Sequence, residues 1–116
     1  MKTGLFIGRF QPFHEGHRAC IEKILEECEQ CIILVRSVPV SENNPIAIED
    51  VIRRILNGLG DLQKRVTISV IYDAGCDLTV YKGRKVGWQI KKLKMPKKIK
   101  KISATKIRKD LIKKHL

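Results

Sequence analysis

The apolar run Thr3-Gly4-Leu5-Phe6-Ile7 passes straight into Gly8-Arg9-Phe10-Gln11-Pro12-Phe13-His14-Glu15-Gly16-His17. The run reads as a short buried strand bounded by glycine. From Glu15 to about Cys28 the period becomes helical, with Ala19, Cys20, Ile24, Leu25 and Cys28 near i, i+3, i+4 spacing. The residues between form a strand-to-helix turn. Gly8 allows close backbone approach or positive φ, and Pro12 sets the turn before the helix begins. His14 and His17 stand three apart, so they share a helix face and can point at one spot. That spot also meets free backbone N–H groups and the positive end of the helix dipole, which suits phosphate. Gly16 has no side chain to block a ligand. A lone histidine at a helix start is usually a cap or a surface group; two of them flanking a glycine behind Gly-Arg-Phe point to a site. Zinc is a weaker reading, because two histidines fill half a tetrahedral shell and Cys20 would have to join them.

Along the 116 residues the pattern alternates strand, helix, strand, helix, strand, strand, helix. Cys31 begins the second strand and Arg36 ends it, and a helix runs from about Ala47 to Leu59. Val66–Tyr72 is a clear third strand, Leu78–Gly83 a short fourth, and Ala104 to about Lys114 the last helix. This order predicts one small α/β domain over residues 1–116, a parallel sheet with helices on both faces. Ligands of such sheets bind at the carboxyl ends of the strands. Ser103 is a good N-cap, and Thr105 and Arg108 share a face of the helix it opens. Arg108 offers a planar fork for phosphate. Each of these taken singly is an ordinary cap or surface charge. The loop after the fourth strand places Arg84 and Lys85 near the crevice, either to meet a ligand phosphate or to stand as solvated surface charges. Trp88 would close over the ligand's organic part; its plainer role is packing.

Composition narrows the partners. The formal net charge is +12, and residues 91–116 hold 12 of the 24 Lys and Arg residues against one acid, Asp110. Lys91, Lys92, Lys94, Lys97, Lys98, Lys100 and Lys101 have no interleaved aromatics, which speaks against base stacking on nucleic acid. They suit a solvated face, or steering of polyanionic nucleotides. No run of about 20 apolar residues exists to span a membrane. The opening Met-Lys before a strand does not make a signal peptide. Cys28 and Cys31 have redox or metal spacing but no second pair, so they read, with Cys20 and Cys76, as small apolar residues in a reduced cytoplasm.

His14-Glu15-Gly16-His17 resembles the HxGH signature of the α/β nucleotidyltransferase superfamily. The longer run from Gly8-Arg9-Phe10-Gln11-Pro12 looks most like the archaeal-type nicotinamide mononucleotide adenylyltransferases and the cytidylyltransferase-like proteins. Ile102-Ser103-Ala104-Thr105-Lys106-Ile107-Arg108 is similar to the ISxTxxR motif that opens the family's last helix. Asn44-Pro45-Ile46 and the helix after it resemble the second loop and helix. The resemblance implies a Rossmann-like fold and transfer of an adenylyl group from ATP, with Mg2+, to a phosphate-bearing acceptor. His14 and His17 would then be catalytic, and Gly8, Arg9, Phe10, Gly16, Ser103, Thr105 and Arg108 would bind the nucleotide. No protein group is expected to hold a metal. The family's helix between its third and fourth strands has almost no room here, which favours a small acceptor. The signature alone leaves open a cytidylyltransferase using CTP and a small phosphorylated alcohol. It also leaves open a polyanion- or nucleic-acid-binding module without the chemistry, and assembly into a homo-oligomer.

Overall fold

A computed structural model describes residues 2–73, 79–81, 83, 89–93 and 95. Three parallel strands form a sheet in the order β1 (Thr3–Gly8), β2 (Gln30–Ser37), β3 (Val66–Tyr72). Helix α1 (Glu15–Glu27) joins the first pair of strands. Helix α2 (Ile48–Leu59) and a 3-10 turn, Gly60–Arg65, join the second. The elements expected through Val66–Tyr72 are present with boundaries within a residue or so; the 3-10 turn is additional. Of the expected fourth strand, Thr79, Val80, Tyr81 and Gly83 are described and are not in a strand. The rest of it, and the helix expected over residues 104–114, lie outside the described residues. No described helix is long and apolar enough to cross a membrane.

Register brings the core into rows. Gly4, Cys31 and Val66 align across the sheet, as do Phe6, Ile33 and Ile68, and Gly8, Val35 and Val70. Side chains alternate between faces along a strand, so these rows line one face. Both helices pack there: Ile21 and Leu25 of α1, one turn apart, and Val51, Ile55 and Leu59 of α2 are buried against Cys31, Ile33 and Val35. Full burial of an Ile or Leu side chain stabilises by about 1.5–3 kcal/mol. Gly4 exists for this contact, since a Cβ there would lie 2.3 Å from Cγ2 of Ile24. The opposite face is more open among the described residues. Leu5 is 48% and Ile7 37% exposed, so β1 is a half-buried strand rather than the fully buried one expected.

The C-terminal carbonyls of each helix are served by an arginine from elsewhere. Arg18 of α1 donates through Nη1 to the carbonyls of Gly58 (2.7 Å) and Leu59 at the end of α2. Arg65 donates to the carbonyls of Leu25 (2.9 Å), Cys28 (2.9 Å) and Glu29 (3.1 Å) around the end of α1. A guanidinium satisfies orphan carbonyls and also meets the negative end of the helix dipole. Replacing Arg65 by Met keeps much of the apolar stem and removes all three bonds. Charged hydrogen bonds contribute about 1.5–3 kcal/mol each when buried and less in water, so we expect Arg65→Met to lower stability by about 1–3 kcal/mol in urea unfolding, with an unchanged m-value.

Candidate active site

The turn between β1 and α1 is built from its own side chains. Phe10 takes φ +53°, a left-handed conformation that costs a non-glycine residue about 1–2 kcal/mol. Packing offsets this cost. The Phe10 ring is buried, with centroids 5.7 Å from Phe6, 6.0 Å from Phe13 and 4.9 Å from His17. It folds back over Gly8, where a Cβ would lie 3.0 Å from Phe10 Cζ. Phe13 in turn rests on the backbone of α2 at Gly58, where a Cβ would meet its ring at 2.7 Å.

His14 and His17 hold the start of α1. His14 is the N-cap: its Nδ1 accepts from the Gly16 N–H at 3.0 Å. The His14 N–H donates to His17 Nδ1 at 3.2 Å, completing a capping box in which two imidazoles replace the usual hydroxyl and carboxylate. The rings stack 19° from parallel with centroids 3.8 Å apart. Capping and a shared spot, which the sequence offers as competing readings, are both realised. A ring nitrogen that accepts an N–H carries no proton, so the neutral rings carry theirs on Nε2. Two neutral Nε2–H donors result, at the positive end of the helix dipole. Burial lowers the His14 pKa. Burial among aromatic rings, and then the facing His14, push His17 down to about 4. Phe13 stacks on the His17 ring at 5.6 Å and Phe6 meets its edge at 6.5 Å.

A second loop, residues 41–47, meets this turn. Arg9 donates to Asn44 Oδ1 at 3.3 Å. The Gln11 side chain pairs with both backbone groups of Ile46, donating to its carbonyl at 2.8 Å and accepting from its N–H at 2.9 Å. Arg36 and Asp73, at the carboxyl ends of β2 and β3, form an ion pair at 3.0 Å.

Gly8, Arg9, Phe10, His14, Gly16 and His17 thus come together in one turn at the carboxyl end of β1. Ser103, Thr105 and Arg108 lie outside the described residues, as do Arg84, Lys85 and Trp88. The sequence reading missed Gln11, Asn44 and Phe13. The signal for Gln11 was a single amide between Phe10 and Pro12-Phe13, the pattern of a polar group buried with a partner. Cys20, Cys28 and Cys31 are free thiols. Cys31 is fully buried, and burial and the neighbouring Cys28 raise its pKa to about 11, as befits packing rather than nucleophilic chemistry.

Comparison with known proteins finds likenesses over the same region. The family described as cytidylyltransferase-like matches residues 5–57. The nicotinamide-nucleotide adenylyltransferase of Methanocorpusculum labreanum is 42% identical over 64 residues, covering 51% of this chain and 38% of that protein. That of Saccharolobus solfataricus is also 42% identical over 64 residues, covering 53% and 37%. A crystal structure of a bifunctional NMN adenylyltransferase/ADP ribose pyrophosphatase from Francisella tularensis, complexed with AMP and a manganese ion, superposes with a TM-score of 0.52 at 32% identity. It covers 62% of this chain and 23% of that one. The chain therefore spans less than half the length of each of these proteins. The resemblance to the HxGH nucleotidyltransferases and to the Rossmann-like fold is borne out over the N-terminal half.

The histidine pair makes stability depend on pH. Unfolded, His17 titrates near 6.5; folded, at about 4. Between these values the unfolded chain holds more protons, so stability falls as pH falls through that window, and His14 acts in the same direction. At about 1.4 kcal/mol per pKa unit, reduced for partial solvent access, the loss is on the order of 2 kcal/mol. We expect a melting temperature that is level above pH 7 and declines from 6.5 towards 4. His17→Asn, whose Oδ1 can still accept the His14 N–H, should remove most of that decline.

Proposed function

We propose that this chain transfers an adenylyl group from Mg-ATP to a phosphate-bearing acceptor of the nicotinamide mononucleotide type, releasing pyrophosphate. One observation carries the reading: two stacked imidazoles spend their Nδ1 atoms on the helix backbone and keep Nε2–H donors at a helix N-terminus. The named activities of the relatives support it. An acceptor phosphate oxygen attacks the α-phosphorus, and the bond to pyrophosphate breaks. No protein nucleophile is required, so the protein's part is to align the reactants and stabilise growing negative charge. The divalent cation arrives as part of the substrate, on phosphate oxygens and water.

His14 and His17 donate to the phosphates, at the positive end of the α1 dipole. Gly16, buried at the second position of α1, has no side chain and leaves the approach clear. Gly8 and Phe10 shape the turn. Arg9 holds phosphate, and the sequence motif alone gives Ser103, Thr105 and Arg108 the same task. Arg84, Lys85 and Trp88 are assigned to the acceptor. Free thiols fit a reducing, cytoplasmic setting.

Two experiments decide the reaction and the nucleotide. Pyrophosphate release from Mg-ATP and nicotinamide mononucleotide should fall about 100- to 1,000-fold in kcat for His17→Ala, the loss typical of one donor to transition-state charge. Unchanged turnover would remove His17 from the chemistry. The match to cytidylyltransferase-like proteins favours CTP as the second reading. A ligand bound to the native state raises its stability, so Mg-ATP should raise the melting temperature more than Mg-CTP at equal concentration; the reverse order would select the cytidylyl reaction.

A further inference from the structure

The histidine turn is held to the 41–47 loop by the buried side chain of Gln11 and by the contact of Arg9 with Asn44. Gln11 is 5% exposed, and its planar amide meets the Ile46 N–H and C=O together, as a neighbouring strand would. The loop closes on itself: the Ser41 N–H donates to the Asn44 carbonyl at 3.0 Å, and the Asn44 N–H to Ser41 Oγ at 3.2 Å. Asn44, 9% exposed, then presents Oδ1 to the Arg9 guanidinium. A line of contacts therefore runs from Gln11 through Ile46 and Asn44 to Arg9, separate from the histidines, which bond within their own helix start.

We infer that Gln11 is a positioning residue for Arg9, setting its guanidinium for the nucleotide's phosphates through the 41–47 loop. This rests on the reading of Arg9 as a phosphate-holding group. The magnitudes support action through the loop. A paired neutral hydrogen bond contributes little net, but a buried N–H or C=O left unpaired costs the full desolvation of that group. Without the Gln11 amide, both Ile46 groups are orphaned and the loop stabilises itself by moving towards water. Asn44 moves with it. Arg9, exposed and rich in rotamers, loses the acceptor that orients it.

The test uses the full chain and inorganic triphosphate, whose binding needs neither an acceptor nor turnover. By calorimetry, Gln11→Met should weaken binding about tenfold, the factor expected for one misplaced charged hydrogen bond. Asn44→Ala should match it. Added to Arg9→Ala, Gln11→Met should cause no further loss, because it acts only through Arg9. Wild-type affinity in Gln11→Met overturns the proposal, as does a loss that adds to that of Arg9→Ala, or a wild-type protein that does not bind triphosphate. Should Gln11→Met not fold, Asn44→Ala decides in its place, wild-type affinity again overturning the proposal. A protein that binds triphosphate as described but releases no pyrophosphate from ATP refutes the transferase reading and leaves this one standing.

Discussion

The first turn of α1 leaves backbone N–H groups without helical partners just where the chain emerges from β1, and those groups need acceptors. Serine or aspartate would usually supply them. Here imidazoles do, and the choice has consequences beyond capping. Each Nδ1 that accepts from the backbone forces the ring proton to Nε2 and disfavours the charged ring. The helix start and the donor pair are thus one interaction. The aromatic residues around it protect that state, since Phe6, Phe10 and Phe13 keep water from His17.

This arrangement depends on contacts from distant parts of the chain. Phe13 needs the bare backbone of Gly58 to reach its place against His17. Arg18, one residue beyond His17, fastens α1 to the end of α2. Gln11 fastens the turn to the loop before α2. Two residues of the turn and one of α1 therefore rest on α2 or its entry loop, and α2 is what holds a turn on one strand in place. Rigid placement matters because a donor aimed in advance at developing charge costs no reorganisation during reaction.

Conversely, the side chains that bind the elements together contribute little to recognition of a ligand. Arg18 and Arg65 spend their charge on helix carbonyls, and Arg36 faces Asp73. Arg9 is exposed, with Asn44 as its orienting contact, which is why it is the arginine of the turn suited to phosphate.

Periodicity made much of this legible. The change from strand to helix around Pro12, the continuous apolar run of β2, the alternation in β3, and the i, i+4 stripe of Val51, Ile55 and Leu59 are local patterns set by backbone geometry. His14 and His17 share a face because residues three apart on a helix must do so. Tertiary structure decided what spacing cannot express. It decided that the imidazoles cap rather than merely face a ligand, because that depends on which ring nitrogen meets the backbone. It decided that β1 keeps Leu5 and Ile7 half open, because burial depends on what packs on each face. And it decided that Gln11 joins two loops 35 residues apart, because a hydrogen bond between distant residues leaves no period in the chain that makes it.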